Sequence, residues 1–367
     1  MNNKIKYFTS AMMVAAFGLA FTACDEWTEP EHVDINYDNI VDAENYPAYL
    51  ENLRKYRDTE HTQVYAWVYL SEDGPKNQSE RVTSLPDSID VLVLSNPAKP
   101  HDVVLADLNK VRKEKGMKVS YQIDFDALKA DHALLCEDLA KQRTDLELEY
   151  SLREDAEDPA VQAELAAKLK ELASPALEDY ILENLTASLA YVKEMKLDGV
   201  LFAFDGKASN HLTKDELNEY KAQQLVFLGA ASDWHKRNPE MLYDFMGKPQ
   251  NVSDPAILAE FNMILARQGL DATNADVFTY YLEQAKGQNI PTERLGMMAT
   301  YISSNPDDVT TGVFSNGTMA LDGFAKWLTV NPVACIGIQN VQNDYFNPAF
   351  PYPHVRAAIQ AANPIIK

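Results

Sequence analysis

Residues Leu197-Asp198-Gly199-Val200-Leu201-Phe202-Ala203-Phe204-Asp205-Gly206 form a strand-length apolar run with a carboxylate near each end. Side chains alternate across a strand, so residues 201, 203 and 205 share one face while Val200, Phe202 and Phe204 share the other. A carboxyl that closes a strand, as Asp205 does, is the type of group that serves as a general acid or base. Its companions on that face, Leu201 and Ala203, can neither donate nor accept a proton. A second concentration of polar chemistry is Gln339-Asn340-Val341-Gln342-Asn343-Asp344-Tyr345, dense in amides that each combine planar donors with an acceptor.

The rest of the composition narrows what these groups serve. The chain has 367 residues, 46% hydrophobic and 24% charged, so it buries a sizeable core and is not globally disordered. Lys and Arg number 33 against 55 Asp and Glu, a formal charge of -22, which repels a phosphate backbone and disfavours nucleic acid as a partner. Seven His and three Cys, without C-x-x-C or H-E-x-x-H, leave little material for a zinc site, and no metal or other cofactor is expected. Cys136 and Cys335 fall in an apolar helix pattern and an apolar strand pattern, and read as small buried hydrophobes.

The elements that must position these groups alternate. Strand patterns occur at Gln63–Leu70, Ile89–Ser95, Lys118–Ile123, Leu197–Phe204, Met241–Met246, Val277–Leu282, Leu295–Thr300 and Ala334–Asn340. Several are apolar at nearly every position, as parallel strands covered on both faces require. Helical patterns begin at Tyr46–Arg57 and continue at Asp102–Lys115, Ala127–Leu148, Pro159–Met195, Lys214–Arg237, Pro255–Gly269, Gly317–Thr329 and Pro353–Ala362. Eight such units predict an α/β fold, a (β/α)8 TIM barrel over residues 46–367, as a single domain with a helical insertion in the third crossover. The ligand site of such a barrel lies at the C-terminal strand ends.

Residues 1–23 run from Lys4 and Lys6 through an apolar stretch to Phe21-Thr22-Ala23, followed by Cys24. The stretch is too short for a permanent span and reads as a secretory signal. A small residue directly before Cys resembles the lipobox of bacterial lipoproteins, with Phe21 in place of the usual Leu, and implies lipidation of Cys24. Cleavage deletes two lysines and no acid, taking the charge from -22 to -24, so acyl chains rather than electrostatics must anchor the protein. Asp25, Glu26 and Glu29 resemble the surface-export signal of Bacteroidetes lipoproteins and imply the outer face of an outer membrane. Residues 24–45 are acidic, aperiodic and suited to a tether.

The fourth strand pattern resembles the signature of glycoside hydrolase family 18, Asp-Gly-x-Asp-x-Asp-x-Glu. Asp198 and Gly199 match it, while Leu201, Ala203 and Asp205 stand where the family has Asp, Asp and the catalytic Glu. Ser84-Leu85-Pro86-Asp87-Ser88-Ile89-Asp90, Asp344-Tyr345-Phe346-Asn347 and the closing Tyr352 to Pro364 are similar to Bacteroidetes lipoproteins of this family, nearest its endo-β-N-acetylglucosaminidase branch. In the family the glutamate protonates the glycosidic oxygen while the neighbouring aspartate orients the attacking substrate acetamide. Asp205 keeps a carboxyl but is one methylene shorter, and a misplacement of about 1 Å can cost on the order of 100-fold.

The resemblance therefore implies a protein without catalytic residues, Asp205 being vestigial, that binds a glycan containing N-acetylglucosamine, an N-glycan first of all. It implies an outer-membrane glycan transporter and partner glycosidases as its associates. The opposing expectation is an endo-β-N-acetylglucosaminidase that uses Asp205 as its acid; a third is a structural lipoprotein that binds no sugar. Sugar sites combine aromatic faces with amides and carboxylates. Strand-end candidates are Trp67, Tyr69, Gln122, Asp124, Asp205, Lys207, Tyr243, Tyr280, Glu283, Gln284 and Tyr301, with Gln339, Asn340, Asn343, Asp344 and Tyr345 after the eighth strand. Trp234 and Trp327, on helix patterns, are expected to pack.

Overall fold

The computed structural model describes residues 45–95, 100–268 and 272–364. The chain divides at residue 50, with Leu50–Lys367 forming one compact unit. The expected signal, the expected lipidation site Cys24 and all but the last residue of the expected tether lie outside the described residues.

Eight parallel strands close into a barrel in chain order: β1 (Gln63–Trp67), β2 (Val91–Leu94), β3 (Lys118–Asp124), β4 (Gly199–Phe204), β5 (Leu242–Gly247), β6 (Ile264–Ala266), β7 (Leu295–Thr300) and β8 (Cys335–Gln339). Pairing of β1 with β8, Tyr65 opposite Gly337, shuts the ring. Helices α1 (Tyr46–Arg57), α2 (Asp102–Lys110), α3 (Phe125–Ser151), α4 (Pro159–Glu171), α5 (Leu177–Glu194), α6 (Lys214–Arg237), α7 (Asp276–Lys286), α8 (Ala320–Leu328) and α9 (Pro353–Ala362) occupy the crossovers and the two ends. The barrel expected from the alternation is the fold.

Three helices, α3 to α5, fill the third crossover and constitute the expected insertion. The run expected to be one helix over 159–195 breaks at Ala173-Ser174-Pro175, because proline lacks an N–H and disfavours helical backbone in the residue before it. Asp158 caps α4 by accepting from the Ala160 N–H, with Pro159 at the first helical position.

Val277–Leu282 is not the sixth strand but part of α7, and β6 is the three-residue Ile264–Ala266 inside the stretch expected to be helical. Val277-Phe278-Thr279-Tyr280-Tyr281 is rich in β-formers, yet Phe278, Leu282 and Ala285, spaced four and three apart, form one buried helical stripe against the barrel.

The alternation in β4 sorts as its period requires. Leu201 and Ala203 lie in the lumen with Tyr65, Trp67, Val91, Val93, Met246, Leu265, Met298 and Cys335. Val200, Phe202 and Phe204 belong to the larger apolar shell between strands and helices. Trp234 and Trp327 are buried in that shell, and Cys136 and Cys335 are both free thiols.

Candidate functional site

Three successive strand ends converge. Asp205 follows β4, Lys248 follows β5 and Arg267 follows β6. The Lys248 N–H donates to the Phe204 carbonyl at 3.0 Å and the Arg267 N–H to the Gly247 carbonyl at 2.8 Å, so the ladder continues one residue past each strand and fixes where these side chains start. Gly247, at φ 131°, permits this closeness, since a Cβ there would collide with the Phe204 carbonyl. The guanidinium of Arg267 then grips Asp205, Nε donating to Oδ1 at 3.0 Å and Nη2 lying 2.7 Å from Oδ2. Lys248 Nζ stands 3.9 Å from Oδ2. Burial works against the Arg267 cation, but the Asp205 hydrogen bonds and charge, joined by the charges of Asp124 and Asp126, more than offset it and raise its pKa.

The backbone of Asp205 is held equally firmly. Asp126, in the first turn of α3, accepts from the N–H groups of Asp205 and Gly206 at 2.8 and 3.0 Å. Asn251 donates its Nδ2 to the Asp205 carbonyl at 2.7 Å. Asp198, at the other end of β4, is far from this chemistry. It takes a two-point contact from Arg112 at 2.9 and 2.7 Å and accepts from the Val119 N–H at 2.8 Å. Gly199 beside it leaves room for Leu242, which a Cβ would strike. The Asp-Gly pair thus joins β4 to its neighbours.

On the β1 and β3 side, Trp67 Nε1 donates to Gln122 Oε1 at 2.7 Å, and both residues line the same cleft as Asp205. Gln122 is opposite Leu201 and Asp124 opposite Ala203 in the ladder, so both share the lumen face. Burial pushes the Asp124 carboxyl above its ordinary range, and its Oδ1 is spent on capping α3 through the N–H groups of Asp126 and Ala127. Its Oδ2 accepts from Gln122 Nε2 at 3.4 Å.

Towards β7 and β8 the cleft is walled by Thr300, Gln339 and Asn340 and by the loop from Val309 to Gly317. Thr300 Oγ1 donates to Gln339 Oε1 at 3.0 Å. Asn340 adopts left-handed backbone, φ 59°, and donates Nδ2 to the Tyr301 carbonyl at 3.2 Å. Tyr69, just past β1, is 63% exposed at the rim, with most of its ring available for stacking. The cleft encloses about 1640 Å3, beyond the roughly 300–1,000 Å3 of sites for drug-sized ligands, and suits an oligomeric one.

Of the residues expected at the site, Trp67, Tyr69, Gln122, Asp205, Gln339 and Asn340 come together here. The others are elsewhere. Tyr280, Glu283 and Gln284 are exposed on α7, Glu283 paired with Lys286 at 2.7 Å, because the sixth strand is not where they are. Tyr243 faces outward from β5, buried between His235 and Phe261 with ring centroids 4.4 and 4.1 Å away. Lys207 is exposed and lies over the Tyr220 ring at 5.7 Å, on the α6 side. Tyr301 is buried against His354, its ring centroid 5.6 Å away.

The amide run divides in the same way. Asn343 donates to the Ile302 carbonyl at 2.9 Å and Tyr345 packs on Tyr352, so both brace loops. Asp344 is buried and accepts from the Val355 N–H at 2.9 Å, serving the N-terminus of α9. Lys248, Arg267, Thr300 and the Val309–Gly317 segment were not foreseen. Only Thr300 carried a usable sign, as the closing residue of the seventh strand pattern. Among the described residues no group of His, Cys, Asp or Glu is arranged to hold a metal ion.

A family model for glycoside hydrolase family 18, BT1044-like, matches residues 28–361. Among solved structures, a selenomethionine BT1044 with a Glu-to-Gln replacement is 16% identical, with a TM-score of 0.54 over 89% of this chain and 95% of that one. The apo endo-β-N-acetylglucosaminidase from Cordyceps militaris is 12% identical, with a TM-score of 0.54 over 86% and 96%. Its Asp-to-Asn, Glu-to-Gln double mutant in complex with fucosyl-N-acetylglucosamine-Asn is 13% identical, with a TM-score of 0.52 over the same shares. At these identities the likeness is one of fold. No curated protein matches the chain.

Proposed function

The chain belongs to glycoside hydrolase family 18, in its BT1044-like group, and we propose that it captures N-acetylglucosamine-containing glycan, an N-glycan first of all, without hydrolysing it. The observation that carries this reading is the clasp of Asp205 by Arg267. A general acid must present a proton to the glycosidic oxygen, whereas a carboxylate gripped through both oxygens by a guanidinium is the ionised half of a salt bridge. The lumen positions before it, Leu201 and Ala203, offer no carboxyl to orient an acetamide, and the Asp124 carboxyl across from Ala203 has Oδ1 committed to α3 and Oδ2 to Gln122.

The retained groups are those a binder uses. Trp67 and Tyr69 supply rings, and Gln122, Gln339, Asn340 and Thr300 supply neutral donors and acceptors that read hydroxyls without chemistry. We read residues 1–23 as a lipoprotein signal, Cys24 as the lipidated residue and Asp25, Glu26 and Glu29 as a surface-export signal, a reading under which the barrel sits on the outer face of an outer membrane. There a captured glycan would be passed to partner glycosidases and to an outer-membrane transporter.

Affinity electrophoresis in gels containing N-glycoprotein tests the reading. Wild type is expected to be retarded, with Gln122→Ala and Tyr69→Ala running closer to their mobility in empty gels. Unretarded wild type across high-mannose and complex glycoproteins would overturn it.

A further inference from the structure

The charge of the cleft runs against the charge of the molecule. The whole chain carries -22, yet the charged residues lining the cleft are Asp205, Lys248 and Arg267, two cations to one anion. All three issue from adjacent strand ends and converge at one point on the cleft wall. Arg267 satisfies both Asp205 oxygens at close range, whereas Lys248 Nζ reaches only Oδ2, at 3.9 Å, the outer edge of an ion pair. The ammonium is thus a second cation beside a carboxylate already neutralised by the first.

Two further carboxylates, Asp124 and Asp126, also act on Arg267 and help to raise its pKa. Asp126 is turned to the N–H groups of Asp205 and Gly206. Asp124 caps the 27-residue helix α3, so the partial positive charge of the helix N-terminus falls on it. Neither lines the cleft. A ligand entering meets Lys248 and the outer edge of Arg267, held at the focus of a concave site in an otherwise anionic protein.

We propose that Lys248, with Arg267 behind it, forms an anion subsite, and that the glycans this cleft takes carry an acidic substituent, a sugar carboxylate or a sulfate. The inference rests on the glycan-capture reading above and deepens it. Asp205 then has a positive role, orienting the Arg267 fork that backs the ammonium. An uncharged glycan meets the same rings and amides but leaves the ammonium without its anion.

The test is calorimetric titration of the intact protein with matched pairs: a biantennary N-glycan with and without terminal sialic acids, and an N-acetyllactosamine oligomer with and without 6-sulfate. At low salt, binding of at least one acidic member is expected to be about tenfold tighter than that of its neutral partner, as a charge-assisted contact gives. That ratio is expected to shrink with added salt. Lys248→Met is expected to bring it towards one. Equal affinity of acidic and neutral members in both pairs overturns the anion subsite while sparing glycan capture. Binding of none of the four glycans instead overturns the capture reading itself. An acidic preference unchanged in Lys248→Met, with its thermal transition intact, also overturns the assignment. The two pairs separate a carboxylate source from a sulfate source.

Discussion

Arg267 Nη2 lies 2.7 Å from Asp205 Oδ2 while its Nε donates to Oδ1 at 3.0 Å, so one guanidinium closes both oxygens of the carboxylate that ends β4. The side chains are about one quarter exposed, enough shelter for the pair to count without the full cost of deep burial. Arg267→Met is expected to destabilise the barrel by about 1–3 kcal/mol, read as a lowered urea midpoint with an unchanged slope. Asp205→Asn keeps one acceptor and is expected to cost less. An Arg267→Met midpoint equal to wild type would show that the clasp contributes nothing to the fold.

Tyr69 is the ring at the rim whose loss leaves the core intact, being 63% exposed. Tyr69→Ala is expected to weaken glycan binding by about 0.5–1.5 kcal/mol, the range of one aromatic stacking contact, with the thermal transition unmoved. Trp67, by contrast, is 4% exposed within the lumen. Trp67→Ala is expected to lose about 3–5 kcal/mol of stability, so its binding defect is read only beside its unfolding curve.

Asp198 matches the family's first aspartate, but its partners are Arg112 and the Val119 N–H, at the end of the barrel opposite the cleft. Asp198→Ala is expected to lower stability by roughly 1–3 kcal/mol through the unpaired Arg112 and the orphaned N–H. Glycan affinity measured on the folded fraction is expected to stay the same; a change would mean that Asp198 reaches the site.

Asp244 gives the molecule a pH signature. It is wholly buried in the lumen, accepting from Tyr65 Oη and the Met263 N–H, both at 3.1 Å, and burial raises its pKa to about 7. An unfolded Asp titrates near 3.8, so between about pH 4 and pH 7 the folded chain binds the extra proton. Stability is therefore lost as pH rises through that window, by up to about 4 kcal/mol from this group. Asp244→Asn is expected to flatten the fall in melting temperature between pH 5 and pH 8. A fall of the same depth in the variant would assign it to other groups.

Much of this was legible in the chain, and the parts that were not share a cause. The barrel followed from alternating apolar runs, and the inward face of β4 followed from period two. The same period excludes Tyr243, since it pairs with outward-facing Val200. The sixth strand escaped because Ile264–Ala266 is only three residues long, while Phe278, Tyr280 and Tyr281 mimic a strand within a helix. With that strand misplaced, Arg267 could not be recognised as a strand-end residue. Its meeting with Asp205, 62 positions away, is set by interstrand register, which no local pattern encodes. The backbone duties of Asp344 and Asn343 were hidden for a related reason: polar residues after a strand serve loop backbones as readily as ligands.

The most direct test of capture without cleavage puts both outcomes in one tube. Purified protein is incubated at length with a labelled N-glycoprotein, and retained glycoprotein and released free glycan are scored together. Retention with no released glycan is the expected result, with Asp205→Asn indistinguishable from wild type in release. Release of glycan by wild type, abolished in Asp205→Asn, would contradict the account and make the clasped carboxyl a working acid.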